Sequence, residues 1–405
     1  MAGGGASAAP GSTLVLATHR WWAFGLYGLG LLITLGLLAL SLIPSSSVAR
    51  SDASGPHEQQ STPYARVPAA AQPVAERLTF GALDDLETSD GVEVQRYASD
   101  GSVYFVTVSA RSQSVLSWLT GRSEPAIEFI TSEQRYGLQT PAQRRVFSLE
   151  QMRTSEQVAQ FVALQRLGFE VDLFPGDVLV RQLVCLEVDE TATECVREAP
   201  SAEVLEPGDR LLEIEGQVLD GVEDLTDALF GRVPGDVVQL RIERAGAGEL
   251  TVDVELTDSP SDPGRTIVGF LPFDTRRVAL PFDVEIDTGQ IGGPSAGLAF
   301  TLVLIDELTP GSLTGAVPVA VTGTIELDGS VGMVGGIPQK AAAAARAGAR
   351  VLLVPAAQSE ADLDAARLAG GPDLEVIAVA SLDEALEVLE SLGGDPVRND
   401  TFGAS

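Results

Sequence analysis

Lys340 is the only lysine in the chain, and the other 25 of its 26 basic residues are arginines. A guanidinium stays protonated at ordinary pH, whereas an ammonium loses its proton where the surroundings disfavour charge. The single lysine therefore indicates a position that needs a deprotonatable base, unless it is one lysine left by drift. It lies in "GGIPQKAAAAARAG" (335–348), where Pro338 predicts a helix that begins just before Lys340.

Ser295 is the second residue whose surroundings could support chemistry, in "DTGQIGGPSAGLAFTLVLIDEL" (287–308). Pro294 suits the first position of a helix, and Ser295 would follow within that first turn. Free N–H groups and the positive end of the helix dipole there can stabilise an oxyanion. The alternative is that Ser295 only caps a helix, which is a common role for serine.

The sequence offers few residues for catalysis by a histidine, by a metal ion or with a bound nucleotide. The only histidines, His19 and His57, lie far before residue 264, where strands and helices begin to alternate. That α/β segment therefore holds no Ser-His-Asp triad, no Cys-His pair and no histidine cluster for a metal. A phosphate loop needs Gly-Lys followed by Ser or Thr, but Lys340 is followed by Ala341. We expect no cofactor, no metal and no ATP.

The amino-acid composition limits the kinds of partner that the protein can bind. The formal net charge is −31, which disfavours nucleic acid and anionic lipid, because both require a basic surface. Hydrophobic residues make up 45% of the 405 residues, enough for two to three domains with real cores.

Residues 21–43 carry no charge and would form about 34 Å of helix, enough to cross a bilayer. We interpret them as a transmembrane helix after a short cytoplasmic tail (1–20), with the catalytic body outside the cytoplasm. The alternative is a signal peptide cleaved near Ala49, although the apolar run is long for one. Residues 44–75 are rich in Ser, Pro, Ala and Gln, which predicts a linker.

An α+β region is predicted for 76–167, with a strand over 102–110 and a helix over 154–168. Cys185 and Cys195, the only cysteines, flank an acidic turn between two strand-like runs. A hairpin there could join them in a disulfide, which would fit an extracytoplasmic body. The alternative is two free thiols.

The segment 168–258 resembles a PDZ domain, most clearly from Ala199 to Gly246. The matching pieces are Ser201-Ala202, Gly208-Asp209, Ile214, Gly216, a helix near Asp224–Leu229, and Gly235. The resemblance implies a mostly-β fold with a groove that binds an extended peptide as an added strand. The usual glycine-rich carboxylate loop is not obvious, so recognition of peptide C-termini is open.

"GGPSAG" (292–297) together with "TGTIELDGSVGMVGGIPQK" (322–340) closely resembles the proteolytic domain of the Lon protease family, over about 268–392. The whole arrangement resembles bacterial membrane-anchored PDZ–Lon proteins. The alternation of strands and helices over 264–393 predicts an α/β domain, which the resemblance makes the proteolytic domain, and a disordered tail is predicted for 394–405. The resemblance implies Ser295 as nucleophile, Lys340 as general base and Thr322 as support for the lysine. Gly293 and Pro294 belong to the same motif.

Two positions depart from the ATP-dependent members of that family. Gly292 stands where they carry an acid, and Thr324 replaces the glutamate of their Thr-Gly-Glu. Local hydrogen bonding around the site is therefore expected to differ.

The resulting hypothesis is an ATP-independent, membrane-tethered serine endopeptidase that acts on peptides or proteins and forms a possible homo-hexamer. The alternative is a PDZ-centred peptide-binding scaffold with an inactive protease domain. A membrane signal peptidase also pairs Ser with Lys, but its serine should lie close after the span.

Overall fold

A computed structural model of the chain describes residues 15–50, 61–81, 95–97, 102–136, 140–188 and 195–397. The N-terminal elements are α1 (Val15–Leu42), β1 (Tyr64–Pro73), β2 (Leu78–Phe80), β3 (Ser102–Ser112), α2 (Val115–Gly121), β4 (Glu128–Ile130), α3 (Ser132–Tyr136) and α4 (Pro141–Arg166). The middle elements are β5 (Asp172–Leu183), β6 (Cys185–Val188), β7 (Cys195–Glu198), β8 (Arg210–Ile214), β9 (Gln217–Val218), α5 (Val222–Ala228), β10 (Val237–Arg244), β11 (Gly248–Glu255), β12 (Thr257–Ser259), β13 (Asp262–Ile267) and β14 (Phe270–Ala279). The C-terminal elements are β15 (Val284–Ile286), α6 (Gly297–Leu308), β16 (Pro318–Val321), β17 (Thr324–Ile325), β18 (Val331–Gly332), α7 (Ile337–Arg346), β19 (Val351–Pro355), α8 (Glu360–Gly370), β20 (Glu375–Val379) and α9 (Leu382–Ser391).

The main sheet has the order β20-β19-β16-β3-β1-β4. Its first four strands run parallel, and β1 pairs antiparallel with both β3 and β4. Alternate residues of each strand point to opposite faces. Val319 and Val321 pack with α4 and α6, whereas Ala320 packs with α7 and α8. Because both faces are covered, the central strands β16 and β19 are apolar throughout.

The middle of the chain forms a second sheet of order β11-β10-β8-β5-β14, with α5 beside it and its own buried core. A mostly-β region before an α/β domain, with one apolar helix at the N-terminus, is the predicted fold class, and it is confirmed. Cys185 and Cys195 are joined by a disulfide across the antiparallel pair β6–β7.

The predicted division at residue 264 separates segments that share one sheet. Strands β1, β3 and β4 come from the predicted linker and α+β region, yet they extend the sheet of β16, β19 and β20. Strand β15 likewise pairs with β2. The β-rich region is therefore inserted, in sequence, within one α/β unit. The sequence prediction missed this because local patterns do not show which strands pair across 200 residues.

Three local predictions need correction. The predicted linker over 44–75 is wrong for 64–73, which form β1, a strand with a register shift between Pro68 and Ala71. Its Ala and Pro content hid it, since both residues are uncommon in strands. The helix predicted over 154–168 begins at Pro141, where Thr140 and Gln143 form a capping box. Helix α6 begins at Gly297, so Pro294 and Ser295 precede it instead of forming its first turn.

Helix α1 contains an apolar window at Phe24–Leu42 with a mean hydropathy of 2.0, none of it buried against the protein. By length and composition it can cross a bilayer. The end of the helix is fixed to the body, since Val115 N–H donates to Ile43 C=O at 2.9 Å and Ser45 N–H donates to Gln113 C=O at 2.9 Å.

Candidate functional site

Helix α7 places Lys340 inside the protein. Gly336 precedes the helix in a left-handed conformation (φ 74°), and its carbonyl accepts the hydrogen bond from Lys340 N–H at 2.9 Å. A Cβ at position 336 would lie 3.0 Å from Val108 and 3.2 Å from Arg66, so glycine also allows the close packing here. The side chain of Lys340 is only 2% exposed. The sequence prediction that Lys340 lies at the start of a helix is confirmed.

Among the described residues, the amine of Lys340 has one side-chain hydrogen-bond partner. Its Nζ donates to Thr322 Oγ1 at 2.8 Å. Thr322 is fully buried at the end of β16, where its N–H donates to Leu353 C=O at 3.0 Å. The parallel pairing of β16 with β19 therefore fixes the hydroxyl that holds the amine.

Thr322 also connects this amine to Ser295. Thr322 Oγ1 donates to Ser295 C=O at 3.1 Å, and Gly323 N–H donates to the same carbonyl at 3.0 Å. Gly323 C=O in turn accepts from Leu298 N–H at 3.2 Å. The structure thus brings Ser295, Thr322 and Lys340 together, although they lie up to 45 residues apart in sequence.

Burial changes the chemistry of the lysine. Desolvation, reinforced by the positive charge of Arg66, lowers the pKa of Lys340 from 10.5 to about 7. A lysine with such a pKa is substantially neutral near pH 7 and can accept a proton. The sequence indicated apolar surroundings for Lys340, but it did not indicate Arg66, which comes from β1 some 270 residues earlier.

The turn that carries Ser295 is held by α4. Gly293, with φ at 92°, donates its N–H to Ser148 C=O at 2.7 Å. Ser155 Oγ donates to Pro294 C=O at 3.0 Å. These two serines were missed from the sequence. Their spacing of seven residues places them on one face of a helix, but nothing local shows which segment that face contacts.

The same packing explains one departure from the family pattern. A Cβ at Gly292 would lie 2.7 Å from Ser148 Cβ and 3.0 Å from its backbone. An acidic side chain therefore has no room at 292 in this arrangement. Thr324, the second departure, donates its hydroxyl to Glu326 Oε1 at 3.2 Å, so a carboxylate is present two residues further on.

A third polar contact supports the approach to this turn. Thr288 Oγ1 donates to Glu156 Oε1 at 2.7 Å. Burial raises the pKa of the Glu156 carboxyl, although the hydrogen bond from Thr288 opposes that rise. Glu156 is adjacent to Ser155 on α4, so the helix contacts the chain both before and within the Ser295 turn.

Comparison with known proteins identifies the C-terminal part of the chain. The family model of the Lon protease (S16) C-terminal proteolytic domain matches residues 283–391. Lon protease 1 of Sorangium cellulosum is 29% identical over 172 residues, which are 40% of this chain and 21% of that protein. Lon protease of Clostridioides difficile is 32% identical over 156 residues, 35% of this chain and 19% of that protein. The chain carries a Lon-type protease domain, and its match spans about a fifth of those relatives' length.

Solved structures similar to the chain include two PDZ domains of SdrC-like proteins. The one from Listeria monocytogenes is 22% identical, covers 23% of this chain and 87% of that chain, and gives a TM-score of 0.17. The one from Listeria innocua is 26% identical, covers 22% of this chain and 92% of that chain, and gives a TM-score of 0.16.

The single lysine allows a direct test of its environment. In full-length protein labelled with ¹³C and ¹⁵N in lysine alone, NMR should show one side-chain signal that titrates near pH 7. Arg66→Gln removes a nearby positive charge, so the midpoint should rise. Arg346→Gln, on the same helix but exposed at its far end, is the matched control and should leave the midpoint unchanged. A midpoint near 10 in the unsubstituted protein, or one that Arg66→Gln does not raise, would contradict this account.

Proposed function

We propose that this chain is a serine endopeptidase in which Ser295 is the nucleophile and Lys340 the general base. The observation that carries the proposal is the buried, hydrogen-bonded lysine with a pKa near 7, linked through Thr322 to the turn of Ser295. A serine hydroxyl needs a base to become a good nucleophile. The hydrogen bond of Lys340 to Thr322, which itself contacts Ser295 C=O, supports Lys340 as that base.

The proposed reaction has two halves. Neutral Lys340 takes the proton of Ser295 Oγ as that oxygen bonds to the substrate carbonyl carbon. The resulting ammonium then gives the proton to the leaving amine, the C–N bond breaks, and an acyl-enzyme ester remains. In the second half Lys340 takes a proton from water, whose oxygen attacks the ester. The peptide acid departs, and Ser295 regains its proton.

Thr322 is the positioning residue in this mechanism. Its hydroxyl accepts from the amine and donates to Ser295 C=O, so it keeps the lysine and the serine turn in register. The start of α6 lies two residues after Ser295 and offers the positive end of its dipole to an oxyanion on the substrate. Gly293 and Pro294 shape the turn that presents Ser295 at this end.

We also propose that the β-rich region binds extended peptide. A groove of about 340 Å³ lies between α5 and the segment that leads into β14, and Leu225, Leu229 and Phe270 give it apolar walls. Strand β14 is at the edge of its sheet, so a peptide can pair with it as an added strand. Phe230, 92% exposed, stands at the rim.

The proposed location is a membrane, with α1 as a single span and the catalytic body outside the cytoplasm. The apolar window of α1 supports the span, and the disulfide between Cys185 and Cys195 supports an oxidising compartment. ATP independence and a homo-hexamer complete the proposal. Both come from the sequence: the first from a lone lysine that cannot form a phosphate loop, the second from the family resemblance.

Lys340→Arg distinguishes a base from a charge. Guanidinium stays protonated, so Lys340→Arg should lose activity as fully as Lys340→Ala, by at least about 10²–10⁴-fold in kcat. The unsubstituted enzyme should gain activity as pH rises through about 7, because the neutral amine is the active form. Peptide-library cleavage by the full-length chain in detergent gives both results, with Ser295→Ala as the blank. Near-normal turnover by folded Lys340→Arg would rule out the proposed dyad.

Energy dependence is tested separately. The purified chain should cleave an unfolded peptide at the same rate with ATP and Mg²⁺ as after enzymatic removal of all nucleotide. The physical reason is that neither proton transfer nor acyl transfer at Ser295 consumes nucleotide. A strict requirement for ATP in purified material would refute this part of the proposal.

The groove is tested with a substitution that fills it. Thr226 is exposed on α5 and lines the groove, so Thr226→Trp should obstruct it without disturbing the core. We expect the ratio of kcat/KM for a long unfolded protein to that for a short peptide to fall several-fold. Asp227→Trp, exposed on the same helix but outside the groove lining, should keep the ratio. Equal ratios in both variants and the unsubstituted protein would exclude a role for the groove in substrate handling.

A further inference from the structure

A cleft of about 520 Å³ lies beside the Ser295 turn and is lined by four arginines: Arg66, Arg135, Arg144 and Arg145. We propose that this cleft binds acidic side chains of the peptide substrate and gives the enzyme a preference for Asp or Glu close to the cleaved bond. The inference rests on the proposed function, because it assigns a substrate class to the same site.

The cleft is continuous with the catalytic elements. Ser148 and Gly292 both line it, and they are in contact with each other. Arg145 donates a hydrogen bond to Gln290, five residues before Ser295. At the other end, Arg66 lies against Gly336, the residue that precedes the helix of Lys340. In a peptide bound across Ser295, the residues on one side of the cleaved bond would therefore lie in this cleft.

The charge of the cleft stands out against the rest of the chain. The protein carries a formal charge of −31, so most of its surface repels acidic peptides. Arg66 pairs with Glu128 at 2.6 Å, and Arg135 lies over the rings of Tyr64 and Tyr136. Within the described ranges, no carboxylate forms an ion pair with Arg144 or Arg145. Both side chains are exposed, and a guanidinium has five donors, so Arg145 can bind a ligand in addition to Gln290.

The location of these two arginines makes an anionic ligand more favourable. They lie at the fourth and fifth positions of α4, whose first turn contains no acid. The N-terminus of a helix is the positive end of its dipole, where cations are unfavourable and anions are stabilised. A carboxylate there would relieve this repulsion and accept paired hydrogen bonds from a guanidinium.

Acidic side chains on a substrate fit this arrangement better than a free anion does. Three of the four arginines have different partners: Glu128 for Arg66, the Tyr64 and Tyr136 rings for Arg135, and Gln290 for Arg145. Their guanidinium groups can therefore face different residues of an extended chain. The net negative charge of the chain would help to orient such a substrate, because this cleft presents positive charge to it. We therefore expect the enzyme to select substrates by the positions of acidic residues relative to the cleaved bond.

The test compares matched peptides that carry Glu or Gln at positions flanking one cleavage site, with the full-length chain in detergent. We expect kcat/KM to favour the Glu peptide about tenfold, the equivalent of one charge-assisted contact of about 1.4 kcal/mol. Arg144→Gln/Arg145→Gln should reduce the ratio to about one. Arg350→Gln/Arg367→Gln, which removes the same charge at exposed sites outside the cleft, should keep it. A ratio near one in the unsubstituted enzyme, or an unchanged ratio in Arg144→Gln/Arg145→Gln, overturns the proposal.

Binding separates this inference from the proposed function. Fluorescence anisotropy with the Ser295→Ala chain measures the affinity of the same two peptides without cleavage. If no peptide is cleaved by the unsubstituted enzyme but the Glu peptide still binds Ser295→Ala more tightly in an Arg144- and Arg145-dependent way, the catalytic proposal fails and the cleft assignment stands. Equal affinity for both peptides overturns the cleft assignment whatever the catalytic result.

Discussion

The burial of one amine is the constraint on which the site depends. The lowering of the pKa of Lys340 from 10.5 to about 7 means that the folded protein disfavours the charged amine, relative to water, by about 5 kcal/mol. In the part of the chain that the structure describes, its side-chain partner is the Thr322 hydroxyl, which the paired ends of β16 and β19 hold in place. The sheet and α7 must therefore be rigid enough to keep a group buried that water would solvate better.

This arrangement sets activity against stability. The unfolded chain binds a proton at Lys340 more tightly than the folded chain does, so folding is less favourable at pH 7 than at pH 10. This cost in folding free energy is fully present below about pH 7, where the folded chain must bury the charged amine. It is lost as pH rises towards 10.5, where the amine is neutral in both states. The apolar contacts of α6, which is buried along its whole length, help to offset it. A base with a low pKa is thus maintained by a core much larger than the site itself.

The predictability of the site from sequence follows the range of its contacts. Ser295 and Lys340 lie in short motifs whose residue types suggested a role, and the family resemblance added Thr322. The start of α7 followed from Pro338, since proline fits the first turn of a helix. By contrast, Arg66 and the serines of α4 act through contacts across 130 residues or more, and no local pattern specifies such contacts. The same limit hid β1, whose place in the sheet is set by β3 and β4.

Helix α4 gives the inserted β-rich region a physical connection to Ser295, the proposed nucleophile. Strand β14 lines the groove at its start and pairs with β5 along its length. Further along, β14 packs on α4. The ring of Phe273 contacts the ring of Phe147 edge to face, with their centroids 5.1 Å apart, and Val278 N–H donates to Gln157 Oε1 at 2.8 Å. The same helix holds the Ser295 turn through Ser148 and Ser155. Helix α4 is therefore a contiguous packed route between β14 and that turn. One helix therefore connects three features: the groove, the arginine-lined cleft at its N-terminus, and the serine.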